Sequence, residues 1–136
     1  MSRVIIVAGS FHEDETEKMI QYAKDECSKL NLTVKEVIKV PGAFEIPYAI
    51  KNYFTRQNAQ QGIPVITLGI IEKGQTDHGK AIGDVVLSAL MKIQFTYDVP
   101  IGLGIIGPGA EPEHIAPRLE KHARASANAV RVMLDL

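Results

Sequence analysis

The sequence predicts an α/β domain with a four-stranded parallel sheet and helices on both faces, in three layers. Three observations lead there. Strand-like β-branched runs alternate with segments of helical spacing, four times over. The first and third runs are apolar almost without interruption, as strands buried on both faces are. No linker or shift of composition divides the 136 residues, which is the size of one domain.

Each element follows from its residues. RVIIVAG (3–9) is a short β-branched run that stops at Gly-Ser, so it reads as a buried strand. Residues 13–30 take helical spacing through Met19, Ile20, Ala23, Cys27 and Leu30. Their first turn holds Glu13, Asp14 and Glu15, where the helix dipole favours acids. TVKEVIKV (33–40) is a second strand, ended by Pro41-Gly42. Residues 44–57 return to helical spacing through Phe44, Ala49, Ile50 and Tyr53, with Pro47 tolerated only in a first turn. IPVITLGI (63–70) is a third strand, apolar enough to be central. The helix over 77–96 gathers Ala81, Ile82, Val85, Val86, Ala89, Leu90 and Ile93 on one broad face. VPIGLGII (99–106) is the fourth strand, broken by GPGAEPE, and a last helix spans 112–134. Short connections and right-handed crossovers favour a flavodoxin-like order for such a sheet.

Composition excludes several classes. A net charge of −1 and a pI near 6.4 offer no basic surplus for nucleic acid or anionic membrane. No run of 18 apolar residues occurs, and the N-terminal apolar run is too short for a signal peptide, so a cytoplasmic protein is expected. Cys27 is the single cysteine, which excludes an internal disulfide, and its helical setting predicts a buried structural thiol. None of His12, His78, His114 and His122 forms an i, i+4 pair, so no metal is expected.

Ligands bind parallel sheets at the carboxyl ends of the strands. The segments expected there are Ser10, Phe11 and His12; Pro41 to Glu45; Glu72 to His78; and Gly107 to Gly109. That is more chemistry than tight turns require. In KGQTDHGKAI (73–82), Gly74 permits close backbone approach. The N–H groups of residues 75–77 would point out of a helix N-terminus, and Thr76 adds a hydroxyl. This geometry suits phosphate. Thr76 or Asp77 acting only as a helix cap accounts for the same residues. His78 would stand in the first turn, where the dipole favours neutral imidazole able to accept a proton; a solvated surface histidine fits equally well. Arg118, in register with Ile115, Leu119 and His122, reads as a solvated residue unless a neighbouring subunit presents a phosphate to it.

VPGAFEIP (40–47) followed by LGIIEKGQTDH (68–78) resembles the lumazine synthase family of riboflavin biosynthesis, with order and spacing matching along nearly the whole chain. The ending GIIGPGAEPEHIAPRLEKHARASANAV is similar to the archaeal branch. The resemblance implies a cofactor-free condensation of 5-amino-6-(D-ribitylamino)uracil with 3,4-dihydroxy-2-butanone 4-phosphate. It implies Phe11 stacking on the pyrimidine, with Ala43 and Glu45 holding the ribityl chain. Gln75 and Thr76 would take the phosphate, and His78 would act as general acid/base. Arg118 would reach the phosphate from an adjacent subunit of a pentamer or a multiple of pentamers. Gly42, Phe44, Ile70, Ile71, Glu72 and Leu103 complete the substrate-binding set it implies. The chain departs from the family at His12 (usually Asn), Glu72 (usually apolar), Gly79 (usually aromatic or acidic), Leu103 (usually aromatic) and Ser126 (lysine in bacterial members). These departures leave a riboflavin synthase-like paralogue, or a non-catalytic shell protein that binds a flavin or lumazine, as alternatives.

Overall fold

A computed structural model describes residues 2–57 and 62–136. Four strands, β1 (Ser2–Gly9), β2 (Leu32–Val40), β3 (Val65–Glu72) and β4 (Ile101–Ala110), form one parallel sheet in the order β2-β1-β3-β4. This is the expected three-layer, flavodoxin-like α/β arrangement. The two apolar runs, β1 and β3, are the inner strands. β2, carrying Lys35, Glu36 and Lys39, lies at an edge where one side meets water.

Alternation along β1 builds two cores. Val4, Ile6 and Ala8 face α1 (Glu13–Lys29) and α5 (Leu119–Leu134), packing on Met19, Ala23, Ala123 and Ala127. Ile5 and Val7 face α2 (Ile46–Arg56) and α3 (His78–Tyr97), packing with Ile50, Phe54, Val86 and Leu90. Full burial of side chains such as Phe54 or Ile50 stabilises by roughly 1.5–3 kcal/mol each. Between α1 and α5, Glu26 binds Arg124 (3.0 Å) and Asn128 (3.0 Å). Cys27 is buried as expected, and burial pushes its thiol up to about 11, with the Glu26 charge adding, so it is not a nucleophile.

Several features differ from the sequence reading. β3 starts two residues late, because Pro64 has no N–H for the ladder, and continues to Glu72. β4 likewise begins after Pro100 and does not end at residue 106. It runs on through Gly107 and Gly109, which take φ of +98° and +94°, so that Glu72 pairs with Ala110 across a register shift. The last helix is not continuous. A turn of helix α4 (Pro112–Ile115) passes into a 3-10 turn (Ala116–Arg118) before α5, at Pro117, which cannot donate to an α-helical ladder. Finally, the broad apolar face of α3 is only partly used. Gly83, Val86, Leu90 and Ile93 are buried, whereas Val85, Met91 and Phe95 lie exposed, because one sheet covers one stripe of a helix.

Candidate active site

The carboxyl ends of β1, β2 and β3 deliver their loops to one cleft of about 630 Å³. Gly9 makes the closure possible. A β-carbon there would come within 2.7 Å of the Gly42 carbonyl carbon and 2.8 Å of the Ala43 nitrogen, so only glycine lets the β2–α2 loop cross the end of β1. Ser10 fastens the two loops, donating from its N–H (2.8 Å) and its hydroxyl (2.9 Å) to the Val40 carbonyl. Thr16 donates to the Gly9 carbonyl at 3.1 Å and fixes the start of α1 to the same point.

The cleft has an aromatic rim and an apolar floor. Phe11 is 80% exposed and Phe44 60% exposed, each leaving a large ring face without a protein partner. Ile70 and Ile71, at the end of β3, and Ala43 are buried beneath them. The Phe11 ring meets His12 edge-on at 5.3 Å. Glu45 sits in the 3-10 turn Ala43–Glu45, its carboxylate turned back over Gly42.

The polar end is the N-terminus of α3. Gly79 packs so tightly on β3 that a β-carbon would overlap the Glu72 carbonyl oxygen, which explains a small residue after His78. The His78 N–H donates to the Thr76 hydroxyl oxygen at 3.2 Å, and Asp77, at the cap position, makes no side-chain cap bond. Among the described residues, the N–H groups of Gln75, Thr76 and Asp77 meet no acceptor. Exposed donors at the positive end of a helix of this length are suited to an anion. Thr76 and His78 both line the cleft.

Of the residues expected from the sequence, Phe11, Gly42, Ala43, Phe44, Glu45, Ile70, Ile71, Glu72, Thr76 and His78 come together in this cleft. Gln75, Leu103 and Arg118 do not line it. Gln75 is exposed on the same loop, and Leu103 is 49% exposed on edge strand β4. Arg118 is exposed and donates to the His114 carbonyl at 2.8 Å. Near it on α5, partial burial and then the charges of Arg118 and Lys121 lower the basicity of His122. The cleft also contains His12, Pro41, Lys73 and Ile82. Loop position pointed to His12 and Pro41, but nothing in the sequence marked Ile82 apart from the rest of its helix face. A second groove of about 690 Å³ runs along β2 by Lys24, Asn31 and Lys35, away from the carboxyl ends of the strands.

No helix among the described residues is long and apolar enough to cross a membrane. Among them, too, no three His, Cys, Asp or Glu side chains cluster to hold a metal ion.

Known proteins are similar to this sequence along nearly its whole length. The chain is 37% identical to the 6,7-dimethyl-8-ribityllumazine synthase of Staphylothermus marinus over 135 residues, covering 99% of this chain and 88% of that protein. Identity to the protein of the same name from Metallosphaera sedula is 38% over 128 residues, covering 93% and 83%. The Saccharolobus solfataricus protein of that name is 35% identical over 127 residues, covering 93% and 80%. All of residues 1–136 match the family described as 6,7-dimethyl-8-ribityllumazine synthase, and the chain belongs to that family.

Proposed function

We propose that this chain condenses 5-amino-6-(D-ribitylamino)uracil with 3,4-dihydroxy-2-butanone 4-phosphate to give 6,7-dimethyl-8-ribityllumazine, the transferase step of riboflavin biosynthesis that its family name denotes. The observation that carries this reading is one cleft with an aromatic rim at one end and a helix N-terminus bearing Thr76 and His78 at the other. A flat pyrimidine suits the first and a phosphate the second.

The residues then take these roles. Phe11 stacks on the pyrimidine over the floor of Ile70 and Ile71, with Phe44 closing the other side. The Gly42–Ala43 backbone and Glu45 hold the ribityl hydroxyls. Thr76, Gln75 and the free N–H groups of their loop hold the phosphate. The pyrimidine's exocyclic amine attacks the ketone, and loss of water leaves an imine. Phosphate departs by elimination, and the ribitylamino nitrogen then closes the second ring with loss of another water. His78 moves the protons these steps require. Much of the rate comes from holding two reactive molecules together.

A neighbouring subunit completes the site. Arg118 and Leu103 are exposed outside the cleft, and α3 exposes Val85, Met91 and Phe95 in the single chain. Exposed apolar side chains in that number favour burial against another copy. A homopentamer, or an assembly of pentamers, in the cytoplasm accommodates all of them, with Arg118 reaching the phosphate of the adjacent cleft.

Mixing purified protein with both substrates tests the reaction. Fluorescent lumazine should accumulate, and a yellow, ligand-binding protein that forms no product would overturn the assignment.

A further inference from the structure

A histidine and a carboxylate meet within the cleft. His12 Nε2 lies 3.3 Å from Glu72 Oε1, with the imidazole side chain 19% and the carboxylate side chain 39% exposed. Lys73, the next residue along, does not neutralise Glu72; it turns to Glu111 at 3.4 Å. Among the described residues, the second carboxylate oxygen, Glu72 Oε2, meets no donor. A carboxylate offers about four acceptor sites and no hydrogen. His12 Nε2 stands beside one of its oxygens, while Phe11 and Ile71 line the same cleft. A charged oxygen left free in the cleft is a strong acceptor for a ligand N–H.

We infer that Glu72, held in place by His12, is a specificity-determining acceptor for an N–H group of the pyrimidine. This inference rests on the condensation proposed above. The carboxylate favours a ring that donates a hydrogen to it and rejects a ring edge that only accepts. Where the hydrogen it takes is an exocyclic one, that preference also separates substrate from product. The aminopyrimidine carries hydrogens on both exocyclic nitrogens, and ring closure removes them. The backbone supports this placement, because the first turn of α3, which carries His78, packs directly on the Glu72 carbonyl. The carboxylate therefore belongs to the end of the cleft where bonds form. His12 acts through Glu72 and is a positioning residue.

Steady-state kinetics of Glu72→Gln, varying each substrate in turn, test the inference. The KM for 5-amino-6-(D-ribitylamino)uracil should rise about ten- to a hundredfold, the worth of one hydrogen bond to a charged group. The KM for the butanone phosphate should stay within about twofold. His12→Ala should shift the pyrimidine KM in the same direction by less, and should add nothing in the Glu72→Gln background. An unchanged pyrimidine KM, or equal rises for both substrates, would overturn the inference while leaving the condensation intact. If wild-type protein formed no lumazine, the reaction assignment would fail separately. Titration of the pyrimidine alone would then decide: a ten- to a hundredfold weaker Kd for Glu72→Gln supports the acceptor role, and equal affinities refute it.

Discussion

The backbone N–H of His78 donates to the hydroxyl oxygen of Thr76 at 3.2 Å, so the first turn of α3 is fixed to the loop before it. That bond uses one lone pair of the hydroxyl and leaves its hydrogen free for a phosphate oxygen. Thr76→Ala should therefore raise the KM for the butanone phosphate more than that for the pyrimidine. Arg118→Ala should act on the same substrate and more strongly. A charge-assisted contact is worth about 1.5–3 kcal/mol, or roughly one to two decades in apparent affinity. Steady-state kinetics with each substrate varied separately provide the check, and equal losses for both would indicate a folding or assembly defect.

His78 is held at the mouth of the cleft without being buried in it. Positioned proton transfer typically contributes ~10²–10⁴-fold. The substrates here are intrinsically reactive, so the effect should fall at or below the low end of that range. His78→Ala should slow turnover about ten- to a hundredfold and leave oligomer size unchanged. Turnover assays and light scattering on the same preparation measure both, and a wild-type rate would remove the acid/base role.

Assembly can be tested through the same two residues. If Arg118 serves the neighbouring cleft, co-expressing the Arg118→Ala and His78→Ala chains should create hybrid sites with both groups intact. Random mixing leaves about a quarter of sites complete, so the mixture should recover about that share of wild-type activity. The mean of the two variants' own activities would place both groups in one subunit. A stable monomer with full activity would exclude the shared site altogether.

Glu26 supplies a stability prediction away from the cleft. The Asn128 hydrogen bond foremost, with Arg124 and Lys29 adding, outweighs burial and holds its carboxyl below the ordinary value of 4.5. A lowered folded-state value means the group stabilises the fold above about pH 4.5. That contribution is lost as pH falls through the lowered value. Glu26→Gln should thus cost up to about 1 kcal/mol at neutral pH. The gap from wild type, read by denaturant unfolding, should close progressively below pH 4.5.

Much of this was legible in the residues, for physical reasons. Val4 to Ala8 and Val65 to Leu68 read as inner strands because burial on both faces demands nearly unbroken apolar runs. Ten of the thirteen expected site residues meet in one cleft, because the carboxyl ends of neighbouring parallel strands must share a rim. What local pattern could not show is where distant segments meet. The extension of β4 through Gly107 and Gly109 depends on pairing with Glu72, which no local pattern announces. Gly79 read as a departure until its contact with the Glu72 carbonyl gave it a reason. His12 and Glu72, sixty residues apart, read as two unrelated departures and meet at 3.3 Å. The apolar width of α3 was visible, but not which stripe one chain would bury.

The most direct test follows lumazine and inorganic phosphate together after both substrates are added to the purified protein. The reaction proposed here releases one phosphate for every lumazine formed, and the protein should accelerate both at equal rates only when both substrates are present. Release of phosphate without lumazine, or binding of the pyrimidine with no acceleration of either product, would contradict it.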